Sequence, residues 1–246
     1  MALDYPASPA IGDPDVAVEI SVFDVDRTLT RLPTYSRFLL FAAWSRAPWR
    51  LPLIPLLLPA LLLNAAGLLP RRRLKVLMHL LLIGAKLPRH EAVRLANAFA
   101  QHLVDRGLYA QGVALIAAER AAGRRIVLAT AAPHFYVSAL ASKLGIDDVV
   151  ATRSDWRGDH LRAGIDGENC YGPAKCMMLA AFLDQGRLER SRVHIRFYSD
   201  HASDLPAFDY CDEPFAVNPS KGLRQIADRR GWPVIDWRGA VASPTS

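Results

Sequence analysis

Cysteine is scarce in this 246-residue chain: Cys170, Cys176 and Cys211 stand alone, with no C-x-x-C spacing among them. That odd, scattered set excludes a disulfide framework and a thiolate zinc site, and it suits a reducing compartment. The first fifteen residues, MALDYPASPAIGDPD, lack both a basic leader and an apolar run, so they predict a loose lead-in to a strand and no signal peptide. Residues 240–246, small and polar, are expected to fray. Acids are nearly missing from residues 31–125, where fifteen Arg and Lys face only Glu91, Asp105 and Glu119, a net of +12. The rest of the chain carries −6, giving the total of +6. A basic segment on an acidic frame points to an anionic partner, either nucleic acid or a membrane surface, against the plainer reading of a solvated arginine-rich face. The basic residues lie among leucines instead of stacking aromatics, and no helix-turn-helix pattern occurs. Nucleic acid is therefore discounted.

What is present is a globular composition, 51% hydrophobic and 22% charged. Short apolar runs at 16–23, 125–129, 193–198 and 214–217 read as buried strands, with weaker candidates at 148–151 and 233–235. Helical spacing at 133–144 and 174–185 separates them. Alternating strands and helices predict an α/β fold: a Rossmann-like, doubly wound parallel sheet with its active site beyond the carboxyl ends of the strands. Between the first two strands lie about a hundred residues with helical periodicity at 35–46, 71–83, 90–106 and 109–122. A connection that long predicts an inserted all-helical cap, residues 32–123, on a core made of 1–31 and 124–246.

The chemistry-bearing residues fall at the ends of these elements. Asp24-Val25-Asp26-Arg27-Thr28 follows the first strand directly. Two carboxylates at i and i+2 share one side of an extended chain and repel unless a cation or proton lies between them. Hard oxygen donors favour Mg²⁺. Thr130 ends the second strand, Lys175 opens a helix after Gly172-Pro173, and Asp200 and Asp204 follow the third strong strand. A nucleophilic carboxylate, a hydroxyl, an ammonium and metal-binding acids are the equipment of phosphoryl transfer. Singly, each has a plain explanation: a surface turn, a helix cap, a solvated lysine. Together, in order and facing one crevice, they point to a phosphomonoester substrate.

These motifs resemble the four signature motifs of the haloacid dehalogenase superfamily of phosphatases. The stretch Asn169-Cys170-Tyr171-Gly172-Pro173-Ala174-Lys175, with a helical insertion between the first two motifs, is similar to the subfamily that contains phosphoserine phosphatase. The resemblance implies Asp24 as nucleophile and Asp26 as general acid and base. It also implies Mg²⁺ held by Asp24, the Asp26 carbonyl and Asp200, with phosphate bound by Thr130 and Lys175 and support from Asp204. Arg27 departs from the pattern, standing where the superfamily usually has glycine. It either contacts an anionic substrate or points to solvent.

The insertion holds a twenty-residue stretch without charge, 51–70 (LPLIPLLLPALLLNAAGLLP), flanked by Arg46 and Arg50 on one side and Arg71, Arg72, Arg73 and Lys75 on the other. Its length would cross a bilayer, but Pro52, Pro55 and Pro59 each remove a backbone donor, so an interfacial or re-entrant segment is expected over a span. A buried cap helix is the alternative. The expected partner is an anionic membrane surface, with the protein cytoplasmic and peripheral at the inner face. In cap character the chain resembles the phosphatidylglycerophosphatase C branch of the superfamily, which makes a lipid phosphate such as phosphatidylglycerophosphate the leading substrate. A soluble phosphoserine-like monoester comes second, and a non-catalytic membrane-surface adaptor is the remaining reading.

Overall fold

A computed structural model of the chain describes residues 18–239. The predicted strand residues 16 and 17, the N-terminal lead-in and the tail 240–246 lie outside them. In chain order, β1 (Val18–Phe23) leads into α1 (Thr34–Arg46), a ten-residue 3-10 helix (Pro48–Leu57), α2 (Leu58–Ala65), α3 (Arg71–Leu82), β2 (Leu87–Pro88), α4 (Arg89–Arg106) and α5 (Ala110–Ala121). Then come β3 (Arg125–Pro133), α6 (His134–Lys143), β4 (Asp148–Thr152), the hairpin β5 (Ser154–Arg157) and β6 (His160–Ile165), and α7 (Pro173–Gln185). The chain closes with β7 (Val193–Ser199), α8 (Leu205–Tyr210), β8 (Glu213–Val217), α9 (Lys221–Arg230) and β9 (Val234–Ile235).

Six strands form one sheet in the order β4-β3-β1-β7-β8-β9, and every pairing is parallel. The order runs outward in both directions from β1, so the topological switch point, where such sheets bind ligands, lies beside its carboxyl end. β1 can occupy the centre because Ile20, Val22 and Phe23 are buried and Ser21 finds a buried partner. The expected α/β architecture is what the chain adopts.

Two features differ from the sequence expectation. First, α5 belongs with the core sheet and not with the insertion, so the boundary drawn at 123 is too late. The chain leaves and re-enters the core as a pinned pair: Tyr109 N donates to Leu29 O, Arg31 N to Gly107 O, and Thr30 bridges Leu108. Beyond that clasp, α5 buries Gly112, Ile116 and Glu119 on one stripe. A Cβ on Gly112 would lie 3.0 Å from the Trp237 ring and 3.2 Å from Leu29, so a larger residue would have to push these side chains aside by a few tenths of an ångström. Glu119 takes hydrogen bonds from Ser21 of β1 and Arg196 of β7, which fixes α5 across the sheet.

Second, the insertion is not wholly helical. β2 pairs antiparallel with β6, which pairs with β5, giving a small three-stranded sheet that joins the insertion to the segment after β4. A two-residue strand has no periodicity to read, and β5 and β6 are short and rich in Asp, Arg and His. Aromatic contacts complete the joint: Phe38 of α1 and Phe99 of α4 both pack on Tyr136 of α6, at 4.8 and 5.6 Å between ring centres.

Candidate active site

β1 ends at Phe23, and Asp24 N donates to Tyr198 O of neighbouring β7, which carries the strand pairing one residue further. The Asp24 carboxylate is then held at both oxygens. Lys175 Nζ donates to Oδ1 at 2.8 Å and Thr28 Oγ1 to Oδ2 at 3.0 Å. Lys175 reaches it from the first turn of α7, where Gly172 precedes the helix with φ +60°. The same ammonium donates to Asp204 at 2.6 Å, and Ser199 donates to that carboxylate at 2.7 Å. Asp204 therefore supports the site by steadying Lys175. Lys175 is 2% exposed. Burial works against its charge, but Asp24 and Asp204 outweigh that and raise its pKa above the usual lysine range.

The acids outnumber this one buried cation. Burial, Asp204 and Asp26 push Asp24 up to about 6 against the pull of Lys175. Burial first, then Asp24 and Asp204, push Asp200 up to about 8, with Arg27 and Lys175 opposing. Crowded carboxylates with a surplus of negative charge and only oxygen donors suit a small divalent cation such as Mg²⁺. Among the described residues no group of three or more His, Cys, Asp or Glu side chains converges on a metal position. The set that sequence resemblance implies for Mg²⁺ uses two carboxylates, Asp24 and Asp200, with the Asp26 main-chain carbonyl as third donor. The Asp26 side chain is engaged elsewhere, its Oδ1 accepting from Thr34 N at 2.8 Å and Thr34 Oγ1 at 2.7 Å.

Asp24, Asp26, Arg27, Thr130, Lys175, Asp200 and Asp204 all line one open cleft of ≈ 280 Å³, so every residue singled out from the sequence meets the others there. Thr130 sits where the regular β3–β4 register breaks. Its oxygen accepts from Ala132 N at 3.2 Å, and it is not the cap of α6, which begins at His134 after Pro133. Arg27 has φ +62°, the left-handed backbone that glycine adopts freely and other residues only at a cost.

Sequence reasoning overlooked the residues that hold the site's shape. Asn218, at the end of β8, donates to the carbonyls of Arg27 and Thr28 at 3.1 and 3.2 Å and accepts from Trp237 N. Thr34, at the start of α1, orients Asp26 and lies 2.9 Å from the Tyr136 hydroxyl. Thr34 follows Pro33 at a helix start, a signal that could have been read; Asn218 acts across about 190 residues of sequence and offered none.

The model for haloacid dehalogenase-like hydrolases matches residues 21–209. The chain belongs to that family. It is similar to a crystal structure of a protein with unknown function from Bordetella pertussis Tohama I, at 26% identity and TM-score 0.81, covering 90% of this chain and 100% of that one. A phosphoserine phosphatase solved as a phospho-aspartyl intermediate analogue shares the fold at TM-score 0.57 and 17% identity, covering 89% and 93%. A probable phosphatase of Mycobacterium tuberculosis is 31% identical over 150 residues, 60% of this chain and 50% of that protein. The chain spans about half the length of the first curated relatives it matches.

Proposed function

We propose that the chain is a phosphomonoester hydrolase that works through an aspartyl phosphate on Asp24. The observation that carries this reading is the buried Lys175 ammonium clamped between Asp24 and Asp204, which orients one carboxylate at the floor of an open cleft. The likeness to a probable phosphatase supports the same chemistry.

In the first step an Asp24 oxygen attacks phosphorus and the bond from phosphorus to the ester oxygen breaks. Asp26, held from one side by Thr34, supplies a proton to the departing alcohol. In the second step water attacks phosphorus, Asp26 takes a proton from it, and phosphate leaves as Asp24 is regenerated. Thr130 and Lys175 donate to the phosphoryl oxygens, where negative charge is concentrated. Mg²⁺, held by Asp24, the Asp26 carbonyl and Asp200, would neutralise charge on the phosphoryl group. A non-catalytic adaptor would have no use for acids buried around one lysine at an open cleft, which favours the enzyme.

For the substrate we favour a lipid phosphate such as phosphatidylglycerophosphate, met at an anionic membrane surface. Pro48–Ala65 is an 18-residue helical stretch of mean hydropathy 1.3, by length and composition enough to cross a membrane, with only 6% of it buried. The prolines wind its first half as a 3-10 helix instead of an α-helix. One side is committed to protein: Leu57 is buried, Leu51 and Ile54 pack on the core cluster, and Arg50 donates to the carbonyls of Leu80 and Leu81. The other side exposes Trp49, Leu56, Leu58 and Leu62. A helix with one face bound and one face apolar and open suits lying on a bilayer better than spanning it, with the basic flanks near anionic headgroups. The cleft also weighs against a phosphoserine-like substrate. Apart from Thr130, Lys175 and the acids already assigned, its walls are Arg27, Pro33, Ala131, Tyr171, His201 and Ser203, which offer no carboxylate for an amino group.

Hydrolysis of an aryl phosphate tests the reaction class. Turnover is expected with Mg²⁺, loss on chelation, and recovery when Mg²⁺ is restored. Turnover that ignores the chelator would contradict the metal assignment.

A further inference from the structure

Asp26 differs from the other acids of the cleft in being tied by its side chain to the insertion. Its Oδ1 atom accepts twice from the first residue of α1, from Thr34 N at 2.8 Å and from Thr34 Oγ1 at 2.7 Å. Those two donors occupy both lone pairs of Oδ1. A proton on this carboxyl group must then sit on Oδ2. That atom has no hydrogen-bond partner among the described residues, and it belongs to a side chain that lines the cleft.

The Thr34 hydroxyl has one hydrogen, and Asp26 receives it. The Tyr136 hydroxyl, 2.9 Å from Thr34 Oγ1, is therefore the donor in that contact. Burial pushes the Tyr136 phenol well above its usual range, which keeps that hydrogen in place. A chain of donors thus runs from Tyr136 to Thr34 to Asp26, and both Thr34 and Tyr136 are buried.

The joint between insertion and core sets each member of this chain. Thr34 follows Pro33, and its N–H is one of the donors that the first turn of a helix leaves unpaired. Phe38, one turn further along α1, stacks on the Tyr136 ring at 4.8 Å and 19°. Phe99 of α4 meets the same ring edge-on. The ring is thereby held with its hydroxyl at Thr34. A carboxylate that only capped α1 would need the N–H contact alone, and neither the second donor nor the phenol behind it.

We propose that Thr34 and Tyr136 are positioning residues: docking of the insertion on the core locks Asp26 with Oδ1 bound and Oδ2 presented as the atom that gives and takes the proton. The proposal rests on the phosphomonoesterase reading and deepens it. In the first step the proton passes from Asp26 Oδ2 to the ester oxygen as the bond from that oxygen to phosphorus breaks. In the second step Oδ2 takes a proton back from the attacking water. Thr34 and Tyr136 keep their own hydrogens throughout. General acid catalysis needs the proton within hydrogen-bond reach of the departing oxygen, so lost orientation falls hardest on esters whose alcohol leaves poorly without it.

The test compares phenyl phosphate with dinitrophenyl phosphate, whose phenolate departs without a proton. The readout is kcat/KM, which covers the steps up to departure of the alcohol. Thr34→Val, close to isosteric, should lower it about tenfold or more for phenyl phosphate and no more than about twofold for the dinitrophenyl ester. Thr34→Ser, which keeps the hydroxyl, should restore most of the loss. Tyr136→Phe, one bond further from the acid, should lower the ratio of the two esters about threefold. Equal loss on both esters would mean that these residues only hold the fold, and no loss on either would mean that the clamp does nothing; each overturns the proposal. Crystal structures read the clamp without turnover. The Asp26 carboxylate should hold one orientation in the wild-type chain and more than one in Thr34→Val, and an unchanged single orientation in that variant would also overturn the proposal. If the wild-type chain hydrolyses neither ester, it is the phosphatase reading that fails, and the crystal structures still support or overturn the clamp.

Discussion

In the catalytic cleft, Asp24, Lys175, Asp200 and Asp204 are all at most 7% exposed, and charged groups are held where water is scarce. On the outer face of the insertion the reverse holds: Leu56, Leu58, Leu62 and Leu68 are 56–74% exposed, and α2 buries no residue at all. Each region keeps side chains in the environment that disfavours them. In the cleft the cost shows as raised carboxylate pKa values, and on the outer face as apolar surface left in water. Folding alone accounts for neither. A cation and a phosphoryl group would relieve the first, and a lipid surface the second. On the function proposed above, the first region would perform the reaction and the second would choose where it is performed.

The largest effect should come from breaking the charge balance of the cleft. Lys175→Met would leave Asp24 and Asp204 buried without their cation, and removing one partner of such a cluster costs about 3–5 kcal/mol. Urea unfolding reads the loss directly, and a change below about 1 kcal/mol would mean the ammonium is not the counterweight described.

An intermediate effect, on a different observable, is expected from Leu58, Leu61 and Leu62 changed together to Ser. Binding to phosphatidylglycerol vesicles should weaken at least tenfold while the unfolding free energy moves by no more than about 1 kcal/mol, since these side chains are exposed. Equal loss of both would show that the stretch is cap core and would end the contrast between the two regions.

The smallest effect is expected at Arg27. Glycine there accepts φ +62° without strain, so Arg27→Gly should stabilise the chain by about 0.5–1 kcal/mol, offset in part by the freer unfolded state. Destabilisation instead would mean that the arginine side chain contributes more than its backbone costs.

Much of this contrast was legible before the fold was known. The change from buried strand to paired acids at Phe23–Asp24 is local, as are the Gly172-Pro173 helix start and the uncharged run 51–70, and each left its mark on adjacent residues. The core strands read well because a doubly covered parallel strand is a continuous apolar run. What stayed hidden depends on distant partners. Glu119 joins α5 to β1 and β7, and Asn218 holds the loop of Arg27 and Thr28 from the end of β8, two strands away in the sheet. β2 exists only because β6 pairs with it. His79 and Arg162 come to line one cavity only through the packing of α3 against β6.

The central claim is that Asp24 becomes phosphorylated during turnover. Acid quench in the steady state, followed by mass spectrometry of the peptide containing residues 24–26, should find one phosphoryl group on Asp24. Asp24→Asn should lose both that adduct and turnover, by roughly a thousandfold or more. Near-normal turnover in Asp24→Asn, or a phosphoryl group on another residue, would contradict the account.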